Sequence, residues 1–404
     1  MAEQVLSDVK VLDVTQHIAG PYCTKLLADY GAEVIKVERP GQGDPARRLG
    51  PFYGDEPHPE KSGLFAYLNT NKKGITLNLE SEWGKRQFKE LVKDVDILVE
   101  NFPPRVMPGL GLDYSVLEQI NPRLVMTSIS DFGQSGPYRD YKASEIIIYG
   151  MGGAMFCNGL PEEAPLKKGL TVTLFQGGVM AVVATMMAFL LARESGSGQH
   201  VDVSLYETQM GTIDRRMSQL IVYQYNKAVT YRADPSVRRM FPFGIYPCDD
   251  GHFELAAVGN LWPAVGRMMD MPELIEDPRF SNIIAQMTPG HRDQFDEIWY
   301  PWIIERTKKE IVTKGQEGGA LCGPLATMEE VVNDPHFNAR NYFREIEHPV
   351  IGKVTYPGPP INSGSLPWEI RSAAPLLGQY NEEVYGRLGY SREDLVALKG
   401  QGLI

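Results

Sequence analysis

At 404 residues, with 43% apolar and 10% aromatic side chains, the chain has material for two domains or one large one and for a sizeable core. Its formal charge of −11 and pI near 5.3 exclude a nucleic-acid or anionic-membrane surface as the main partner, because phosphate-rich surfaces are held by an excess of Lys and Arg. Any anionic ligand must therefore meet a local basic patch.

The four cysteines, Cys23, Cys157, Cys248 and Cys322, lie far apart and make no CxxC or Cys/His ligand spacing, so they read as reduced thiols of a cytoplasmic protein. The N-terminus, MAEQVLSDVKVLDV, has no basic start followed by an apolar signal core. The most apolar run, Gly178 to Leu191, is about 14 residues long. A membrane span needs roughly 20, so this run is expected to be a buried helix of a soluble protein with no membrane partner.

In chain order, the first 130 or so residues alternate short apolar runs with helix-like segments: Val9–Val14, Tyr22–Tyr30, Ala32–Val37, then Val95–Glu100 and Leu124–Ser128. This rhythm predicts βαβ units, an α/β fold and a mainly parallel sheet. Ligands of such sheets sit beyond the carboxyl ends of the strands. Polar residues follow three of these ends: Thr15-Gln16-His17, Glu38-Arg39 and Asn101-Phe102. Val172 to Arg193 predicts a long helix, stopped by Glu194-Ser195-Gly196-Ser197-Gly198 and followed by a strand at His200–Leu205. Composition shifts between about Ile221 and Lys314, where a strand pair around Asp249-Asp250-Gly251 and segments with Trp262 and Trp299 suggest a smaller α+β domain. The expected boundaries are 1–220 for the first part of the large domain, 221–314 for the small one, and 315–404 for a return linker and the rest of the large domain, ending in a helical tail from Asn381 to Leu398.

Several chemistries are excluded by missing motifs. No GxGxxG follows the first strand, and there is no GxxxxGK[ST] or GxSxG; Gly133-Gln134-Ser135-Gly136 lacks the spacing of a nucleophile elbow. The seven histidines show no HExxH or comparable spacing, so no metal site is expected.

What the motifs do carry is a resemblance. The strings VLDVTQHIAGPYCTKLLADYGAEVIKVERPGQGDPAR, NKKGITLNL, VENFPP, SISDFGQSGPY, SGSGQHVDVSLYE, CGPLATMEEVVNDPHF and APLLGQYNEEVYGRLGY run in one order along nearly the whole chain. Together they resemble the class III CoA-transferase family of the CaiB/BaiF type. The resemblance implies a Rossmann-like large domain built from both chain ends, a small inserted domain, and two subunits interlocked like chain links. In such a dimer folding and association are inseparable. It also implies coenzyme A or an acyl-CoA as substrate, with no tightly bound cofactor.

Carried over position by position, the resemblance assigns His17, Ile18 and Ala19 to the loop that touches the nucleotide and pantetheine. Arg39 corresponds to an arginine on the adenosine phosphates, Leu77, Asn101 and Phe102 to residues along the adenine and pantetheine path, and Lys142 to a basic residue near the phosphates. Arg and Lys suit that role because they give phosphate charge-assisted hydrogen bonds. Gly109 departs from the pattern, standing where the family often has an arginine.

The larger departure is at the reacting position. The family's nucleophilic aspartate lies five residues after one glycine and four before another. Gly169 and Gly178 frame that interval here and put Leu174 in the aspartate's place. No alignment slip repairs this, because no Asp or Glu occurs between Pro165 and Arg193. A side-chain carboxylate is needed to attack the thioester and form an anhydride, then an enzyme-bound CoA thioester. Glu145 matches an acidic position that supports the catalytic region. Glu162, Glu163, Asp202 and Glu207 are the nearest alternatives, but a nucleophile must be held about 3 Å from the thioester carbonyl. Racemase chemistry of the same superfamily fails as well, with Ser144 at its histidine position and Leu174 at its aspartate.

The resulting expectation is a non-catalytic subunit of a heteromeric CoA-transferase whose homologous partner carries the aspartate. Among families with two different subunits, the resemblance is to the one acting in anaerobic toluene breakdown, which moves CoA from succinyl-CoA to benzylsuccinate. Arg215, Arg216, Arg232, Arg238 and Arg239 are candidates to pair with a dicarboxylate acceptor. Two alternatives stay open: a homodimeric transferase with a displaced carboxylate, and a CoA-binding regulatory or scaffold protein.

Overall fold

A computed structural model describes residues 4–211, 216–232, 240–361 and 367–404. The chain divides into two compact units. The first comprises Met1–Phe156, Leu166–Thr230 and Asn341–Ile404; the second comprises Cys157–Pro165 and Tyr231–Arg340.

In the first unit, β1 (Lys10–Asp13), β2 (Glu33–Glu38), β3 (Lys72–Thr76), β4 (Ile97–Glu100), β5 (Val125–Ser130) and β6 (Gln199–Ser204) form one six-stranded sheet in the order β3-β2-β1-β4-β5-β6. All five pairings are parallel. β4 and β5 are buried throughout, as expected of strands covered on both faces. The order reverses direction between β1 and β4, and ligands of such sheets bind at that point, beyond the carboxyl ends of the strands. The strand β3 carries two lysines in KKGIT and was not among the runs expected to be strands.

On one face of the sheet, α1 (Ala19–Asp29) packs against the long helix Val172–Ser195, both contributing to a core with Val11, Val99, Ile129 and Val203. Gly178 makes the crossing possible, because a Cβ there would stand 2.6 Å from the Ala19 carbonyl oxygen. The opposite face is covered by the helix Glu82–Val92 and by the C-terminal helices Asn381–Arg387 and Arg392–Gly400. The Tyr385 hydroxyl donates to the Thr76 carbonyl at 2.7 Å, which ties the chain's end to β3. The fold class is therefore α/β with a parallel sheet and both chain ends in the large unit.

The long helix differs from expectation. Its span, Val172–Ser195, ends two residues past the expected Arg193, but it is only partly buried where a buried helix was expected: Val179, Val183, Met187, Leu190 and Leu191 are exposed. By length and composition it could cross a membrane. Its other side is committed to the protein sheet through Ala181, Ala188, Phe189 and Ala192.

The second unit has an antiparallel sheet of β7 (Phe243–Cys248), β8 (Gly251–Ala256) and β9 (Leu321–Pro324) around a core of Phe241, Trp262, Phe280, Phe295 and Trp299. It ends near Arg340 rather than at 314, because β9 pairs with β8 and holds 315–340 in this unit. It also takes in 157–165, where Arg232 Nε donates to the Leu160 carbonyl at 3.0 Å.

Candidate functional site

A cavity of about 230 Å³ opens at the carboxyl ends of β1 to β4, beside the point where strand order reverses. Val14, Val37, Leu77, Phe102 and Leu110 give it apolar walls, Thr15, Gln16 and Asp44 polar ones, and Arg39, Arg48 and Glu80 stand at its charged edge. Arg39 reaches Glu80 at 3.4 Å with both side chains more than half exposed, a pairing worth little in water. Its guanidinium can turn to a stronger anion. Arg48 is exposed and donates to the Gln42 carbonyl at 2.6 Å.

Beneath this cavity the interior is charged. Lys72 Nζ, fully buried, contacts Asp13 at 3.0 Å and also the Pro21 carbonyl, Thr24 and Asn69. Burial works against the Asp13 carboxylate, but Lys72, Lys36 and the Thr15 and Thr24 hydroxyls outweigh it and hold its pKa down at about 2. Lys72 is pulled down to about 8 by burial, with Asp13 resisting. Lys36 is pulled down by burial as well, yet Asp44, Asp13 and Glu38 raise it above the usual lysine value. Arg47, also buried, forks onto Glu38 at 2.7 and 2.8 Å. Buried charges of this kind persist only when every one has partners.

Over this floor lies the turn from Thr15 to Ala19 that leads into α1. Gln16 and Asn101 exchange two hydrogen bonds of 2.8 Å, which joins the loops leaving β1 and β4. His17 is exposed and its backbone is left-handed, with φ 64°. Ile18 and Ala19 are buried, Ile18 preceding the first residue of α1 and Ala19 being that residue. Their side chains serve the core, so contact with a ligand would come from their backbone.

Of the residues selected from sequence, Arg39, Leu77 and Phe102 line the cavity, and Asn101 braces its wall through Gln16. His17, Ile18 and Ala19 border it without lining it, and Lys142 and Glu145 lie in a later segment outside its lining. Gln16, Asp44 and Arg48 were not singled out as site residues, although Gln16 and Asp44 fall within the first string that carries the resemblance and Arg48 directly follows it. Gly109 sits in the short helix Val106–Leu110, whose Val106 and Leu110 border the cavity.

Leu174 occupies the first turn of the long helix and packs against the core that contains Ala19. Gly178, one turn later, touches the Ala19 carbonyl, so the face shared by 174 and 178 looks toward the start of α1. Phe175 packs edge-on to Tyr22, with ring centroids 4.9 Å apart. Glu145 opens the helix Glu145–Met151 and pairs with Lys167 at 2.8 Å, linking that helix to the segment that leads into Leu174. Arg232 donates to backbone carbonyls at Leu160, Pro161 and Glu163. Arg215, Arg238 and Arg239, and the side chain of Arg216, lie outside the described residues. Among the described residues no three His, Cys, Asp or Glu side chains gather as a metal site.

A parallel sheet with an arginine-edged crevice at its switch point places the molecule among the α/β proteins that bind ligands beyond the carboxyl ends of their strands. The chain belongs to CoA-transferase family III, which it matches over residues 6–381. It is 32% identical over 402 residues to the succinyl-CoA–D-citramalate CoA-transferase of Chloroflexus aurantiacus, covering 99% of this chain and 98% of that one. It is 27% identical over 416 residues to the succinyl-CoA:(R)-benzylsuccinate CoA-transferase subunit BbsE of Thauera aromatica, covering 99% and 98%. The crystal structure of a CAIB/BAIF family protein from Brucella suis superposes with a TM-score of 0.84 at 27% identity, over 96% of this chain and all of that one.

Proposed function

We propose that this chain is the non-catalytic subunit of a heteromeric CoA-transferase, and that a homologous subunit bearing an aspartate at the position of Leu174 performs the acyl transfer. The observation that carries this reading is Leu174 itself, in a stretch from Pro165 to Arg193 without Asp or Glu, inside a chain that otherwise has the family's fold. A hydrocarbon side chain cannot form the anhydride or the enzyme thioester.

In the proposed complex the partner's carboxylate attacks the donor acyl-CoA, which we take to be succinyl-CoA. This forms a mixed anhydride and frees CoA thiolate, which attacks the partner's aspartyl carbonyl, expelling succinate and leaving CoA as a thioester on the partner. The acceptor carboxylate then displaces the thiolate to form a second anhydride, whose acceptor carbonyl the thiolate attacks, releasing the acceptor's CoA thioester and the free aspartate. This chain completes the interlocked assembly and shapes the acceptor pocket. Its own CoA would lie with the adenine between Leu77 and Phe102 and the phosphates toward Arg39 and Arg48, which fits the apolar walls and cationic edge of the cavity. The exposed apolar side of the long helix, and the exposed residues from Leu220 to Tyr231, supply surface for the partner to cover. The BbsE likeness supports benzylsuccinate as acceptor, and we place the complex in the cytoplasm.

The test is to incubate the purified chain, alone and with its homologous subunit, with succinyl-CoA and to trap thioester by hydroxylamine or borohydride before mapping the modified residue. Label confined to the partner's aspartate is expected. Label on any carboxylate of this chain, or transfer at an ordinary rate by this chain alone, would establish the displaced-carboxylate alternative.

A further inference from the structure

Three successive residues of the turn beside the cavity are each fixed by a different element. The Thr15 carbonyl accepts from Lys36 Nζ on β2 at 2.8 Å. Gln16 is locked to Asn101 after β4. The His17 N–H donates to Asp44 Oδ1 at 3.0 Å, and this third anchor holds a histidine in the left-handed region, where a side chain with a Cβ is strained.

Asp44 is built for that task. Oδ1 also accepts from the Ala46 N–H at 2.8 Å, starting the short helical turn Pro45–Arg48 whose last residue stands at the cavity edge. Oδ2 faces the Lys36 ammonium at 2.9 Å and takes no other hydrogen bond, and both side chains are at most 1% exposed. The Asp44 N–H in turn donates to Glu38 at 2.8 Å, and Glu38 is gripped by Arg47. A bare carboxylate lining a cavity edged by arginines would oppose an anionic ligand, and Lys36 cancels that charge from below.

We infer that Asp44, neutralised by Lys36, is a positioning residue for coenzyme binding, which presets the Thr15–Ala19 turn through the His17 N–H before CoA arrives. The inference rests on the coenzyme reading of this cavity and adds to it the device that keeps the cavity's wall formed. No function of Asp44 as a ligand contact is implied, since both its oxygens are already engaged.

Two double variants separate positioning from folding, because both remove the buried charge pair. Lys36→Met/Asp44→Asn keeps an amide oxygen for His17 and Ala46, whereas Lys36→Met/Asp44→Leu does not. Titrating free CoA into the full-length chain by calorimetry should give binding about tenfold or more weaker for the Leu variant than for the Asn variant at closely matched thermal midpoints. Equal affinities, with wild-type CoA binding intact, would overturn the positioning role alone; absence of CoA binding by the wild type would remove the coenzyme reading and this inference with it. Should either variant not fold, hydrogen exchange in the wild type decides. The His17 amide should be protected without CoA, and rapid exchange there would refute a preset turn.

Discussion

The floor of the cavity and the outer side of the long helix are opposite solutions to burial within one unit. Beneath the cavity, Asp13, Lys36, Asp44, Arg47 and Lys72 are charged and at most 3% exposed, and each is met by oppositely charged or hydrogen-bonding groups from the same chain. Along the long helix, Met187 is 62% exposed and Leu190 57%, left open by the described residues of this chain. Charge is tolerated inside only when the chain itself supplies every partner, because an orphaned charge costs several kcal/mol. Exposed apolar surface carries a smaller penalty per residue, so it is the kind of surface a chain can leave for another protein to cover.

The sharpest way to break this contrast is to orphan one of the buried ions. Asp13→Ala leaves Lys72 without its counter-charge and should destabilise the chain by about 3–5 kcal/mol, read as a shift of the urea midpoint. A loss below about 1 kcal/mol would mean that the network is not a closed unit.

Next in size is Glu100, at the end of β4. Burial lifts its carboxyl to about 7, partly opposed by the Ser128 hydroxyl and the Phe102 N–H, with Asp202 adding to the rise. Unfolded, the group ionises near its ordinary 4.5, so the unfolded state releases its proton first and stability falls as pH rises from about 4.5 to about 7, levelling off above. The total drop is about 3 kcal/mol, and Glu100→Gln should abolish it in unfolding titrations across that range. A wild-type curve that rises through this window would contradict the assignment.

Arg39→Ala should weaken CoA binding about tenfold while leaving stability nearly unchanged, because its partner Glu80 is a solvated surface ion. Equal effects on CoA and on pantetheine, which lacks the phosphates, would place Arg39 away from them. The smallest effect on the isolated chain is expected on the bare helix. Met187→Asp with Leu190→Asp should shift its stability by no more than about 0.5 kcal/mol, yet prevent assembly with the homologous subunit in light scattering. Intact assembly would show that the partner covers something else.

The parallel strands were legible where apolar residues outnumber charged ones in the run, as at β1, β2, β4 and β5. β3 was not, because its two lysines mask its period and only the tertiary structure shows one of them, Lys72, reaching a buried aspartate on β1. The domain boundary at 314 failed for a related reason: β9 belongs to the second unit through its pairing with β8, a contact between residues about seventy positions apart that no local pattern reports. Arg39 and Phe102 stand just past expected strand ends, and the resemblance assigned them and Leu77 to the coenzyme path. Asp44 could not be selected, since its role lies in a hydrogen bond to a residue 27 positions earlier.

By itself, the sequence determined the α/β class, the family resemblance and the absence of Asp and Glu between Pro165 and Arg193, since strand rhythm, motif order and side-chain chemistry are all written one residue at a time. Which loops share the cavity, which charges are neutralised beneath it and which face of the long helix stays bare were decided only by tertiary structure. Those properties depend on distances between residues far apart in the chain, and they are set when the sheet closes around its crossing connections.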